Sequence, residues 1–395
     1  MSGASPALRT LAWVACIFTF VLVAFGAFVR LSDAGLSCPD WPTCYGQITW
    51  PSAPAAVARA DRAFPARPVE VHRAWREQIH RFLAGTLGVL VLIEALAATF
   101  ATKRRLALTV LGVVLIGIGI PLYTEHAYLT SSVIAGVGEV LLLALAVFWD
   151  RGGWRRIAVL ALALVCFQAL LGMWTVTLLL LPVVVTAHLR GGMATLGLLA
   201  WLAWRLSIRR FPPARSRALV AATIVGLVLL SGQIFLGGWT STNYAGLACG
   251  TGHAAFPECL GQWWPAMNFR AGFVLTRHIG VDYQGGVLDA AARTAIQVMH
   301  RLGALIVLLY CLWLGYCTAR RGLRGHGAAV ALVVVAQVGL GIANVTLGLP
   351  LWVAEAHTVG AALLLVVLVS LLVRVACAPL GSGAVSGEGV VAQAG

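Results

Sequence analysis

Four histidines occupy matching places in two halves of this chain, each at the start of a long apolar stretch: His80, His188, His300 and His357. A neutral imidazole is a common metal ligand, and two per half suggest a pair of ligands on opposite sides of one metal. Around them the sequence repeats. Ala34-Gly35-Leu36-Ser37-Cys38 returns 211 positions later as Ala245-Gly246-Leu247-Ala248-Cys249, and Pro42-Thr43-Cys44-Tyr45-Gly46-Gln47 returns as Pro257-Glu258-Cys259-Leu260-Gly261-Gln262. Ile79-His80-Arg81 returns as Met299-His300-Arg301. Gln168, Gly172, Val176-Thr177 and Ala187-His188 return at a constant offset of 169 as Gln337, Gly341, Val345-Thr346 and Ala356-His357. The repeat breaks at one chemically informative place. Glu77, one helical turn outward of His80 on the same face, is replaced before His300 by Gln297. A carboxylate moves protons or stabilises developing cationic charge, and an amide does neither by ionising. The first half is therefore expected to do chemistry through Glu77, and the second to hold a supporting cofactor. The plainer alternative is a helix-start carboxylate favoured by the helix dipole.

The elements that position these residues are membrane helices. With 60% hydrophobic and 11% charged residues over 395 positions, the composition excludes a soluble globular protein. Apolar runs of about 20 residues, enough to cross a hydrocarbon core roughly 30 Å thick, recur along the chain. Ten spans are expected, near 11–29, 78–100, 106–123, 128–148, 157–179, 183–204, 217–238, 293–314, 326–346 and 351–373. The net charge of +14 is concentrated in alternate short loops: Lys103 to Arg105, Arg151 to Arg156, Arg205 to Arg217, and Arg320 to Arg324. That is the positive-inside pattern, which puts both termini in the cytoplasm and the large loops in the periplasm of a cell inner membrane. The charge then sets topology and contacts anionic membrane lipid, and nucleic acid is not an expected partner. Arg9 precedes the first run but no small-residue cleavage site follows, so that run is expected to be a retained helix rather than a signal peptide.

Two long outer segments, 30–76 and 239–292, each follow the first helix of a repeat and hold a cysteine pair, Cys38/Cys44 and Cys249/Cys259. An oxidising outer compartment favours disulfides. A metal site competes for the Cys-x5-Cys pair, but no histidine has zinc-like spacing to it. Cys16, Cys166, Cys311, Cys317 and Cys377 read as ordinary buried thiols. The halves differ in length, because His80 and His188 are 108 residues apart and His300 and His357 only 57. The surplus matches an inserted helical hairpin at about 101–150. The fold expected is an all-α polytopic membrane protein: a tandem duplication of a four-helix bundle with an inserted hairpin. The N-terminal repeat is expected over 1–210, the C-terminal repeat over 211–376, and a flexible cytoplasmic tail over 377–395.

Helix parity puts all four histidines near the outer ends of their helices, at similar depth. Two imidazoles facing each other across a four-helix bundle make an axial pair for heme iron. A lone membrane histidine is often only an interhelical hydrogen-bonding group, but four at equivalent positions fit that reading poorly. Zinc or a di-iron centre fits less well, since the Glu-x-x-His quartet of di-iron bundles is absent. Gly85, Gly88, Gly191 and Gly192 are placed to leave room for a flat macrocycle. Arg81 and Arg301 read either as partners of heme propionates or as snorkelling anchors. His72, His126, His253, His278 and His326 show no repeat pattern and read as surface residues. Glu94, Glu139 and Glu355 are intramembrane or near-membrane carboxylates with no specific role assigned.

Taken as an ordered set, Gly26-Ala27-Phe28-Val29-Arg30, the loop around Cys38 and Cys44, Glu77-Gln78-Ile79-His80-Arg81, Gln168 to Thr177 leading to Ala187-His188, Met299-His300-Arg301 and Ala356-His357 resemble the heme A synthase family. The resemblance covers about residues 11–100 and 157–374. It implies oxidation of the C8 methyl of heme O to the formyl group of heme A by successive hydroxylations, for heme-copper cytochrome oxidases. It also implies that His80 and His188 hold substrate or product heme, and that His300 and His357 ligate a heme b cofactor. Glu77 matches the family's outer carboxylate, and Cys38/Cys44 its first-loop cysteine pair. Heme O synthase, the protoheme farnesyltransferase, and cytochrome oxidase assembly factors are the implied partners. Two other function classes compete: a di-heme, quinol-linked electron-transfer protein and a heme-handling protein without redox chemistry.

Overall fold

Long apolar runs in a bilayer must satisfy their own backbone groups, and helices do so within one segment. The computed structural model, which describes residues 5–149, 153–207 and 216–376, is helical, with no β-strand among the described residues. The helices are α1 (Pro6–Leu31), α2 (Pro54–Ala63), α3 (Val71–Thr99), α4 (Lys103–Thr124), α5 (Tyr128–Val147), α6 (Trp154–Thr177), α7 (Pro182–Ser207), α8 (Arg217–Thr242), α9 (Phe269–Gly272), α10 (Ala290–Arg320), α11 (Arg324–Thr346) and α12 (Leu351–Ala376). All but α2 and α9, ten in number, are long and apolar enough to cross a membrane. The expected tail 377–395 with Cys377, the turn at Arg151 and the join between the expected repeats at 208–215 lie outside the described residues.

The duplication is visible helix by helix. An offset of 211 carries α1 onto α8 end to end, including the N-cap: Ser5 accepts from Leu8 N–H, and Ser216 accepts from Leu219 N–H. An offset of 169 carries α7 onto α12. Helices α1, α3, α6 and α7 pack in a closed ring, and α8, α10, α11 and α12 pack in an equivalent ring. The rings meet through α1 and α7 on one side and α8 and α12 on the other. Contacts α7–α8 and α12–α1 exchange under the repeat, so the two halves are related by a pseudo-two-fold axis. Helices α3 and α7 are diagonal in the first ring, as α10 and α12 are in the second. Each diagonal pair carries one pair of the histidines.

Lipid tails are as apolar as leucine, so these helices are held by close packing of small residues rather than by exclusion from water. The core is correspondingly rich in alanine, with Ala12, Ala15, Ala95, Ala158, Ala161, Ala163, Ala200 and Ala203 fully buried. Large apolar side chains such as Val14, Ile17 and Val21 on α1 face outward. One expectation needs correction. His80 and His300 do not begin their helices: α3 starts at Val71 and α10 at Ala290, so both histidines lie more than two turns inside. Asp289 Oδ1 caps α10 by accepting from Ala292 N–H (2.7 Å), and Glu77 ties the early turns of α3 to the loop before it through Cys38 N–H.

The surplus at 101–150 is the α4–α5 hairpin. It packs on α3 and α6, the edge of the first ring opposite the second ring. Its two helices approach backbone to backbone. A Cβ on Gly138 would lie 2.5 Å from the Gly112 carbonyl oxygen, and one on Gly119 would lie 2.8 Å from Ala135 Cβ. Ser131 Oγ donates to the Gly119 carbonyl across the same contact (2.6 Å). Gly138→Ala should therefore force the hairpin apart and destabilise the detergent-solubilised protein by about 1–3 kcal/mol. Thermal unfolding checks this, and an unchanged melting temperature would count against the packing.

Candidate functional site

Each of the four imidazoles is seated edge-on against a glycine of a neighbouring helix. A Cβ on Gly26 of α1 would meet His80 Cε1 at 2.9 Å, and one on Gly172 of α6 would meet His188 Cε1 at 3.3 Å. In the second half a Cβ on Gly237 of α8 would meet His300 Cε1 at 3.3 Å, and one on Gly341 of α11 would meet His357 Cε1 at 3.1 Å. The four glycines are themselves repeat equivalents, at offsets of 211 and 169. The first pair, Gly26 and Gly237, was missed as a repeat in the sequence, although extending the offset of 211 back from Ala34 finds it. By contrast Gly191, expected to leave space, lies beneath the Gln168 side chain, while no neighbour approaches the Cβ position of Gly85 and only single contacts at 3.9–4.0 Å approach Gly88 and Gly192.

His300 and His357 face each other with ring centroids 6.4 Å apart and planes at 80°. Two imidazole nitrogens on opposite sides of one transition metal, each about 2 Å from it, lie about 4 Å apart, with the ring centres farther out. The observed separation fits one metal between them. His357 Nδ1 lies 3.1 Å from the Gln337 carbonyl oxygen, and His300 Nδ1 lies 3.0 Å from Gln233 Nε2, which also donates to the His300 carbonyl (2.9 Å). The Gln337 carbonyl accepts from His357 Nδ1–H, which orients that ring and leaves its Nε2 free to hold a metal. His80 and His188 occupy the equivalent diagonal pair, and the Nδ1 of each is buried without a partner. Phe25 stacks on His80, with centroids 6.4 Å apart. Among the described residues no three His, Cys, Asp or Glu side chains gather as a metal cage. Each half offers two buried or half-buried imidazoles on a diagonal helix pair, a donor set that could hold a heme.

Above the first pair sits the Cys38–Cys44 disulfide loop, and above the second the Cys249–Cys259 disulfide loop. In both, the second cysteine pairs with a glutamine three residues on, Gln47 and Gln262. The halves differ in how the loop is tied to its helix. Glu77 is buried, and its carboxylate accepts from Cys38 N–H (2.9 Å), from Ser37 Oγ–H (3.0 Å) and from the Arg81 guanidinium. Arg81 also donates to the carbonyls of Asp40 (2.9 Å) and Thr43 (2.7 Å). In the second half Gln297 Oε1 is buried without a partner, and Arg301 reaches only the Glu258 carbonyl (3.0 Å), leaving its Nε and Nη2 unpaired. The two arginines, alike in sequence, therefore do different things: Arg81 laces its loop to α3, and Arg301 keeps donors free. Nothing in the sequence near Arg81 signalled this, because its partners come from the folded loop.

Of the other histidines, His72, His126 and His278 are exposed and His326 is half-buried. Glu94 is fully buried with both carboxyl oxygens unpartnered, Glu139 Oε2 is likewise unpartnered, and Glu355 is half-buried. Cys16 and Cys311 are buried free thiols, and Cys166 and Cys317 are half-buried ones.

Tyr45 closes the first loop from the other side. Its hydroxyl donates to the carbonyls of Arg67 (3.1 Å) and Pro68 (3.2 Å), and its ring meets Phe64 edge-on at 5.4 Å. Burial, with Asp61 and Glu77 nearby, pushes its phenol from an ordinary value of 10.0 up to about 12. Only the neutral phenol donates, so its contribution is complete below pH 10.0 and is lost as pH rises through about 12. Proteolytic protection of segment 38–68 should follow that window and lose the dependence in Tyr45→Phe. Loosening already complete at pH 9 would contradict the assignment.

Comparison with known proteins agrees with this geometry. The COX15-CtaA family of cytochrome oxidase assembly proteins matches residues 9–120 and 126–369, and so runs through most of the α4–α5 hairpin. A heme A synthase of Shewanella oneidensis is 36% identical over 91% of this chain and 93% of its own length. Heme A synthases of Sphingopyxis alaskensis and Methylobacterium radiotolerans are 27% and 26% identical, over 93% and 91% of this chain. With a family match spanning nearly all ten membrane helices and relatives of one name along its length, the chain belongs to the heme A synthase family of cytochrome oxidase assembly proteins.

Proposed function

We propose that this chain oxidises the C8 methyl of heme O to the formyl group of heme A by successive hydroxylations, acting as an oxidoreductase on a CH group and supplying heme-copper cytochrome oxidases. The observation that carries the reading is the inequality of two otherwise equivalent histidine pairs: a buried, triply hydrogen-bonded Glu77 above one, and above the other a Gln297 whose buried Oε1 has no partner.

In this reading His80 and His188 hold the substrate, and His300 and His357 hold heme b. When bound, heme b supplies one-electron redox chemistry, with its potential set by its two axial imidazoles and their surroundings. The chain's own groups do the rest. Three donors fix the Glu77 carboxylate one turn outward of His80, which suits stabilisation of cationic charge developing at a substrate edge more than free proton exchange. Arg301, with Nε and Nη2 unpaired, is placed to bind a propionate of heme b through charge-assisted hydrogen bonds. The disulfide loop, held to α3 by Glu77 and Arg81, covers the outer side of the first pair and limits water there. The positive-inside charge pattern supports an inner-membrane location with both termini cytoplasmic and the disulfide loops periplasmic. Heme O synthase and oxidase assembly factors are the partners this activity requires.

Glu77→Ala should accumulate heme O or its hydroxylated form while heme b stays bound, as read by chromatography of hemes extracted from the purified protein. Normal heme A output from that variant would remove Glu77 from the chemistry. His300→Ala or His357→Ala should instead lose heme b first. Full heme b content in both would show that the halves have been assigned the wrong way round.

A further inference from the structure

The far ends of the membrane helices, opposite the disulfide loops, carry an exchange that the histidines do not explain. The offset of 169 that carries α7 onto α12 also carries α6, from its second residue, onto α11. Arg155 and Arg205 thereby correspond to Arg324 and Arg374, so both halves keep this pair of arginines. The residues beside them are not kept. Trp154, Trp201 and Trp204 become Leu323, Ser370 and Val373, and Ile157 becomes His326.

In the first half the three tryptophans pack against the hydrophobic core, and Trp204 meets Trp13 edge-on at 5.1 Å. Beside their smaller counterparts in the second half lies a cavity of about 270 Å³. It is lined by Arg324 and His326 of α11, by Ser370, Val373 and Arg374 of α12, and by Trp204 of α7. Among the described residues that line it there is no carboxylate, and both charged groups are cationic. Ser370 Oγ is taken up by the Val367 carbonyl of its own helix (2.8 Å). Because α7 belongs to the first ring and α11 and α12 to the second, a ligand here touches both halves.

The lining selects for an oxyanion. Guanidinium groups present forked N–H donors that match phosphate oxygens, and a neutral or cationic ligand gains nothing from their charge. The volume falls just below the roughly 300–1,000 Å³ of pockets for whole small molecules, which suits a head group. Its depth points to the source. Helix α11 begins at Arg324, and α12 ends at Ala376, two residues past Arg374, so both arginines stand at the ends of membrane helices. Lipid phosphates surround the protein at that level.

We infer that this cavity binds the phosphate of an anionic membrane lipid through Arg324 and Arg374, and that the lipid ties α7 of the first half to α11 and α12 of the second. The site is separate from the proposed oxidation and does not depend on it.

The test is native mass spectrometry of the delipidated, detergent-purified full chain, titrated with phosphatidylglycerol or with phosphatidylcholine of the same acyl chains. Phosphatidylglycerol should be retained and should raise the melting temperature. Phosphatidylcholine should do neither, because its choline cation opposes the arginines. Arg324→Gln and Arg374→Gln should each weaken phosphatidylglycerol binding about fivefold, the worth of one basic side chain near an anionic leaflet. Ser370→Trp, which restores the first half's residue and keeps both arginines, should abolish retention. Lys103→Gln with Arg104→Gln removes two exposed charges from another loop at the same end and should change nothing. Equal weakening in that control, or equal retention of phosphatidylcholine, would overturn the inference by showing diffuse attraction. Displacement of the bound lipid by millimolar inorganic phosphate would overturn a lipid as the source of the phosphate. Should Ser370→Trp fail to fold, the two arginine variants decide, and unchanged phosphatidylglycerol binding in both would overturn the site.

Discussion

The structure depends on four places where a helix backbone comes close enough to touch the edge of an imidazole. Membrane helices gain little from apolar contact as such, because lipid offers the same contact. What fixes their separation is how small the facing residues are. Gly26, Gly172, Gly237 and Gly341 each admit one histidine ring. A side chain at any of them would push the ring, or the helix, out of register. The diagonal geometry of the second ring of helices then brings His300 and His357 together across the bundle, at a spacing that suits one metal.

Duplication makes the frame and exchanges within it make the function. Nearly everything that sets position is common to the halves: the serine caps of α1 and α8, the glycine seats and the disulfide loops with their turns. What differs is polar. Outward of the first histidine pair stands a carboxylate with three donors. In the second half the same place holds Gln297, whose buried Oε1 has no partner. A symmetric scaffold thus carries two chemically different histidine pairs, one beneath a hydrogen-bonded carboxylate and one beneath an amide. The α4–α5 hairpin lies on the edge away from the second half, so it can vary without disturbing either contact between the halves.

The loop over the first pair shows how an apparently simple surface cation becomes structural. Arg81 is a typical interfacial arginine by sequence, yet its guanidinium binds Glu77 and the loop carbonyls of Asp40 and Thr43. Arg301 lacks the carboxylate and retains two unpaired donors. One residue, Glu77 or Gln297, therefore decides what its neighbouring arginine is available to do.

By itself the sequence determined the ten helices, the duplication, the place of the hairpin, the four histidines, the cysteine pairs and the exchange of Glu77 for Gln297. These follow from apolar length, spacing and identity, which are properties of the chain in order. It placed the start of α3 near 78 rather than at Val71, because the first turns there, with His72, Arg73, Arg76 and Glu77, carry little apolar signal. Only the tertiary structure decided what lies across each histidine. The seating of Gly26 against His80, the reach of Gln233 to His300 and the hold of Glu77 on Cys38 join residues 39 to 67 positions apart. Such contacts depend on helix rotation and interaxial distance, which the packing of small residues sets and no local pattern encodes.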